Sequence, residues 1–130
     1  MRDTNIMRIL IAFEDYYRAY ADFLAKAIRV ARPHLDVAKV GLEALRAEVK
    51  LLDPHLLICS SPNPAAKQEE EEGTLLAWVE LSVDPQRLSK FCVSGRRWES
   101  LNPSLEELLA VIEEAERRLV GSSSWQSGAR

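Results

Sequence analysis

MRILIAF (residues 7–13), followed at once by Glu14 and Asp15, decides how the rest of the chain is read. A short apolar run, β-branched in part and ended by acid, suits a strand buried on both faces. Such a strand needs helices to cover it, and the following sequence supplies them. In YYRAYADFLAKAIRVAR (16–32), Tyr17, Tyr20, Leu24, Ala27, Ile28 and Ala31 recur at helical spacing until Pro33 stops the pattern, and Asp15 stands where an N-cap belongs. LDVAKV (35–40) is a second short strand. Gly41 opens a segment whose Leu42, Leu45, Val49 and Leu52 mark one helical face, ended by Asp53-Pro54. HLLIC (55–59) is a third apolar run, with a polar exit through Ser60, Ser61 and Pro62. Strands alternating with helices at this spacing, joined by right-handed crossovers, predict three parallel strands in one sheet.

The alternation stops at PNPAAKQEEEEG (62–73), which has two prolines, an acidic run and no apolar stripe, and reads as a solvated loop. TLLAWVELSV (74–83) alternates, with Leu75, Ala77, Val79, Leu81 and Val83 on one face and Leu76, Trp78, Glu80 and Ser82 on a wetter one. DPQRLS (84–89) is too short for a parallel crossover, which needs about a dozen residues or more, so KFCVS (90–94) should return antiparallel. SLEELLAVIEEAERRL (104–119) is an amphipathic helix. Asn102-Pro103 or a Ser104/Glu107 capping box starts it, and Arg117 and Arg118 fall in its last turn. GSSSWQSGAR (121–130) has the composition of a flexible tail. The expected architecture is a three-layer α/β sandwich over residues 1–120: a parallel βαβαβ front half, a C-terminal β-hairpin and a final helix.

Composition narrows the function classes. With 130 residues, 47% of them apolar and 28% charged, the chain suits one globular domain. A formal net charge of −3 offers no general positive field for nucleic acid or an anionic membrane surface, and no apolar stretch approaches the length of a membrane span. The start of the chain is unlike a signal peptide, so a cytoplasmic protein is expected. Cys59 and Cys92 lie in apolar runs without CxxC spacing, which reads as buried free thiols.

Two stretches resemble the receiver domain of bacterial response regulators, which has the flavodoxin-like fold. RILIAFED (8–15) is similar to the opening strand of a receiver, which ends in two acids that hold magnesium. ALRAEVKLLDPHLLICSSP (44–62) is similar to the helix, proline and third strand that lead to the phosphoacceptor aspartate. The resemblance puts Phe13 and Glu14, with Asp15 next, at the acidic pair, and Ser60 at the acceptor. A serine hydroxyl forms no acyl phosphate and ligates magnesium poorly, so the resemblance implies a degenerate site without aspartyl phosphorylation. Independently of any family, an open parallel sheet collects ligands outside the carboxyl ends of its strands, where Glu14, Asp15, Ser60, Ser61 and Asn63 would stand. Glu14 and Asp15 could hold a hard cation such as magnesium, or simply be solvated helix-cap acids; both readings stay open. No other cofactor is indicated, since GxGxxG and GxxxxGK[ST] are absent.

Further constellations weigh less. Tyrosine-phosphatase loops carry arginine after five residues that follow their cysteine, a position that counted from Cys59 is Ala65, and no GxSxG surrounds a serine. His34 and His55 read as surface turn residues. Arg96, Arg97 and Trp98 form the one basic-aromatic group, either a contact patch or strand-end cations neutralising glutamates. Trp78 on a wet strand face, with Trp98, points to a protein interface, although a covering helix would also explain both. The functional expectation is a non-phosphorylatable pseudo-receiver acting through a protein partner or as a homodimer. The alternative is a small-ligand or divalent-metal-dependent enzyme at the sheet rim.

Overall fold

The apolar run after Met7 forms β1 (Arg8–Phe13), with five of its six residues buried. The computed structural model describes residues 6–60 and 75–128. After β1 come α1 (Arg18–Ala31), β2 (Asp36–Gly41), α2 (Leu45–Leu52) and β3 (Leu56–Ser60). Then follow β4 (Ala77–Leu81), β5 (Leu88–Val93), β6 (Arg96–Leu101) and α3 (Leu105–Gly128). Among the described residues, six strands make one sheet in the order β2-β1-β3-β4-β5-β6. β1 pairs parallel with β2 and β3, and β4 adds parallel to β3, whereas β5 and β6 continue as an antiparallel meander.

Side-chain alternation along each strand divides the core into two layers. Ile9, Ile11 and Phe13 of β1 face Leu24, Ala25 and Ile28 of α1 and, farther along the sheet, Leu108, Ile112 and Ala115 of α3. On the opposite face, Leu10, Ala12 and Leu57 pack against Leu45 and Val49 of α2. β2 and β3 lie on opposite sides of β1, so right-handed crossovers must put α1 and α2 on opposite faces of the sheet. The result is a mixed α/β fold with helices on both faces, as the sequence pattern predicts. The three parallel strands and the β4–β5 antiparallel return are found as expected. Residues 62–73, read as a solvated loop, lie outside the described residues.

The ends of the elements are fixed by particular contacts. Asp53 closes α2 in the left-handed conformation (φ 48°), and the Arg8 guanidinium donates from Nε to the carbonyls of Leu52 and Asp53 at 3.1 and 2.9 Å. At the start of α3, the Glu107 N–H donates to Ser104 Oγ at 3.2 Å and Ser104 N–H to Glu107 Oε1 at 3.4 Å, so the capping box is the device used. The bounds of α3 enclose Arg117 and Arg118, which therefore lie inside the helix and not in its last turn, and also residues 121–128, which composition assigns to a tail.

Three expectations change. Asp15 is not the N-cap of α1: residues 15–17 form a 3-10 turn, and no side chain caps it or α1. β4 has no wet face: it lies between β3 and β5, and all five of its residues are buried, Trp78 and Glu80 included. Finally, RRWESL is a sixth strand. Ser94 (φ 48°) and Gly95 (φ 88°) make the two-residue turn that joins β5 to β6, with both central residues at positive φ as a type I′ hairpin turn demands. The Ser-Gly pair between two β-rich runs was the signal for it.

Candidate functional site

Two places can be built up as sites, and the first is the carboxyl rim of the parallel strands. Phe13 does not reach that rim as an acid would. Its side chain turns into the core, 3% exposed, with its ring 5.5 Å from that of Tyr20. Glu14 is exposed and begins the 3-10 turn. Asp15 accepts a hydrogen bond from Arg18 at 2.8 Å, which raises the Arg18 pKa further. Ser60 ends β3 at 1% exposure, and its hydroxyl accepts the Glu14 N–H at 3.3 Å. The fourth expected position is thus a buried clasp between the ends of β1 and β3.

A cavity of about 290 Å³ opens beside this clasp, lined by Glu14, Asp15, Arg18, Asp22 and Lys39 among others. Two of its three acids are matched within the wall, since Asp15 meets Arg18 and Asp22 meets Lys39, and Glu14 is the third. Among the described residues, no three His, Cys, Asp or Glu side chains converge so as to hold a metal ion. The structure therefore brings Glu14 and Ser60 together through a backbone hydrogen bond, and leaves Asp15 engaged with a cation. Ser61 and Asn63 lie outside the described residues.

The second place is the sheet face over β4, β5 and β6 on the α2 side. Cross-strand register sets two rungs side by side: Trp78–Cys92–Arg97 and Glu80–Lys90–Glu99. Trp78 is 5% exposed, and its indole Nε1–H has no hydrogen-bond acceptor. Glu80 is 8% exposed, and among the described residues its carboxylate accepts no hydrogen bond and forms no ion pair. Lys90, directly opposite in register, is exposed and does not close onto it. The Arg97 guanidinium lies 5.9 Å from the Trp78 ring centre. These groups line a cavity of about 460 Å³, within the range of small-molecule sites.

Arg96, Arg97 and Trp98 do not form one patch, because alternation along β6 sends them to different faces. Trp98 lies half-buried towards α3, stacked on Phe91 with ring centres 5.1 Å apart and planes 7° from parallel. Arg96 covers the other side of that indole at 4.2 Å and pairs with Glu114 of α3 at 2.5 Å. The cation that neutralises a glutamate and the covering helix, both weighed from the sequence, describe this corner. Of the four residues expected at an interface, Trp78 and Trp98 are engaged in the interior, and Arg97 belongs to the second cavity. That cavity was missed because nothing in the sequence reveals that β4 is a central strand. Glu80 in an otherwise apolar alternating run was its only trace.

His34 is exposed and paired with Glu116, as a surface residue would be. His55 is not a surface residue. It is 9% exposed, its Nδ1 accepts the Arg8 N–H at 3.0 Å, and its own N–H donates to the Arg8 carbonyl at 2.9 Å. Its carbonyl accepts from Leu76 and Ala77, so one residue ties β1 to the approach of β4. Cys59 and Cys92 are both buried and free of disulfides. Among the described residues, no helix is long and apolar enough to cross a membrane. No protein-family model matches the chain, and no curated protein matches it.

Proposed function

We propose that the chain is a receiver-like module of the flavodoxin type that has lost phosphoryl acceptance and works through contact with a protein partner in bacterial signalling. The observation that carries the reading is the use made of the rim: Phe13 fills the core, and the Ser60 hydroxyl is spent on the Glu14 N–H. The parallel order β2-β1-β3-β4 is also that of the doubly wound sheets in which the rim between β1 and β3 is the ligand site. A rim whose acceptor position is tied to the backbone of β1 supports contact over phosphoryl chemistry as the output.

The partner surface that fits is the β6 border. β6 is the terminal strand of the sheet, and Leu88 and Leu101 face each other across β5 and β6 while remaining 47% and 57% exposed. An apolar pair beside a strand edge that no other described strand extends is what strand addition uses. A second copy of the chain is the occupant proposed. Two measurements test the reading. Incubation with a small-molecule phosphodonor and magnesium should leave the intact mass unchanged; a covalent phosphate would sink the loss of acceptance. Light scattering should show dimers that Leu101→Lys dissociates, and a monomer at every concentration would remove the self-pairing surface.

The competing metal-dependent enzyme at the rim keeps one observation in its favour, the cavity beside Glu14. It requires a thermal shift with magnesium or calcium that Glu14→Gln and Asp15→Asn abolish.

A further inference from the structure

Buried polar groups in native proteins are nearly all hydrogen-bonded, and a buried carboxylate is nearly always paired. β4 breaks the first rule at Trp78, and two residues on, on the same face, stands Glu80, a largely buried side chain whose carboxylate has no partner among the described residues. The Trp78 Nε1–H lacks an acceptor and the Glu80 carboxylate lacks a donor, and both line the cavity of about 460 Å³ on the α2 side of the hairpin. A missed internal pair does not explain this: an indole N–H and a carboxylate are natural partners for each other, yet they do not meet. Lys90 holds the register position opposite Glu80 and still points its charge to solvent.

The wall also has a definite charge pattern. Glu80 and Glu99 supply two anions, and Lys90 and Arg97 supply two cations, on adjacent strands of one face. A simple anion would face the buried Glu80, and a simple cation would leave the indole N–H unsatisfied. An occupant carrying both signs a few bonds apart satisfies the orphan indole N–H and pairs the Glu80 carboxylate together. We propose that this cavity is a binding site for a small zwitterion of the α-amino-acid class. Its ammonium pairs with Glu80, with Glu99 at the mouth. Its carboxylate accepts from Trp78 Nε1–H, flanked by Lys90 and Arg97. The inference does not rest on the receiver-like reading, which concerns the other end of the sheet.

The test uses the full chain and the common α-amino acids, each added alone at millimolar concentration, read by thermal shift, calorimetry and tryptophan fluorescence. At least one should stabilise the chain. The corresponding amine without the carboxylate, and the acid without the amine, should each bind about tenfold more weakly or worse, as expected for loss of a charge-assisted hydrogen bond. Glu80→Gln and Trp78→Phe should weaken binding by a similar factor. Lys90→Met, at an exposed position that cannot unfold the chain, should weaken it through the carboxylate alone. Absence of any shift across the series overturns the proposal. So does equal binding of the bare amine, or undiminished affinity in Lys90→Met and in whichever of the β4 variants melts cooperatively.

Discussion

The Ser60 hydroxyl accepts the Glu14 N–H at 3.3 Å, joining the carboxyl ends of β3 and β1 where an open parallel sheet would otherwise present its ligand crevice. Ser60→Ala should leave that N–H without its partner and cost about 1 kcal/mol in urea unfolding. Ser60→Asp should cost more, because it puts a carboxylate at a position 1% exposed. Even so, it should gain no phosphate from a phosphodonor with magnesium, since Phe13 supplies no ligand. A phosphorylated Ser60→Asp protein would show that the rim needs only one residue to recover the chemistry.

The bracket between Arg8 and His55 should be the costliest polar contact to break. His55→Ala strands the Arg8 N–H in a nearly buried setting, with an expected loss of about 1–3 kcal/mol. Arg8→Met removes the donor to the Leu52 and Asp53 carbonyls, and its effect should appear as fraying at the end of α2. Amide exchange separates the two: His55→Ala should speed exchange of the Arg8 amide, whereas Arg8→Met should act on the α2 terminus.

The β5–β6 turn is open to improvement. Ser94 sits at φ 48°, a conformation that asparagine tolerates better, so Ser94→Asn should raise stability by a few tenths of a kcal/mol to about 1. Gly95→Ala should lower it by about 1 kcal/mol or more through backbone strain alone, because a Cβ at Gly95 would meet nothing within 4 Å. Thermal melts of the two variants in opposite directions are the expected result; a neutral Gly95→Ala would contradict the positive-φ turn.

Alkaline titration should single out one of the three tyrosines. Tyr20 is partly buried against Phe13, and burial raises its phenol pKa above the ordinary value. The folded chain then holds this proton more tightly than the unfolded one. The associated stability is fully present below about pH 10 and is lost as pH rises through the folded-state pKa. Tyrosinate absorbance should show a late phase that Tyr20→Phe removes, and persistence of that phase would reassign it.

The front half was legible because its signals are local. An apolar run ended by acid, helical spacing up to Pro33, and Asp53-Pro54 each state their own boundary. What the sequence withheld depends on neighbours. Glu80 reads as solvent-facing until β4 is seen with strands on both sides. His55 reads as a turn residue until Arg8, far away in sequence, is seen opposite it. Arg96 and Arg97 read as a cluster until a sixth strand alternates them apart. Glu14, Asp15 and Ser60 stand at the ends of β1 and β3, but Ser60 and Asp15 are engaged by a backbone N–H and an arginine, contacts set by tertiary placement.

The division of the sheet into parallel and antiparallel halves also has a kinetic consequence. β4, β5 and β6 pair with their neighbours in sequence, so little chain must be closed before contacts form. β1 pairs with β3 only after α1, β2 and α2 have been spanned. Local pairings are the faster to form, so the meander should be structured in the folding transition state and the β1–β3 seam should close after it. Destabilising the Ser94-Gly95 turn should then mainly slow folding, and trimming Ile11 or Ile58 should mainly speed unfolding. The segment that sequence reading least expected would be the one on which the rest of the sheet assembles.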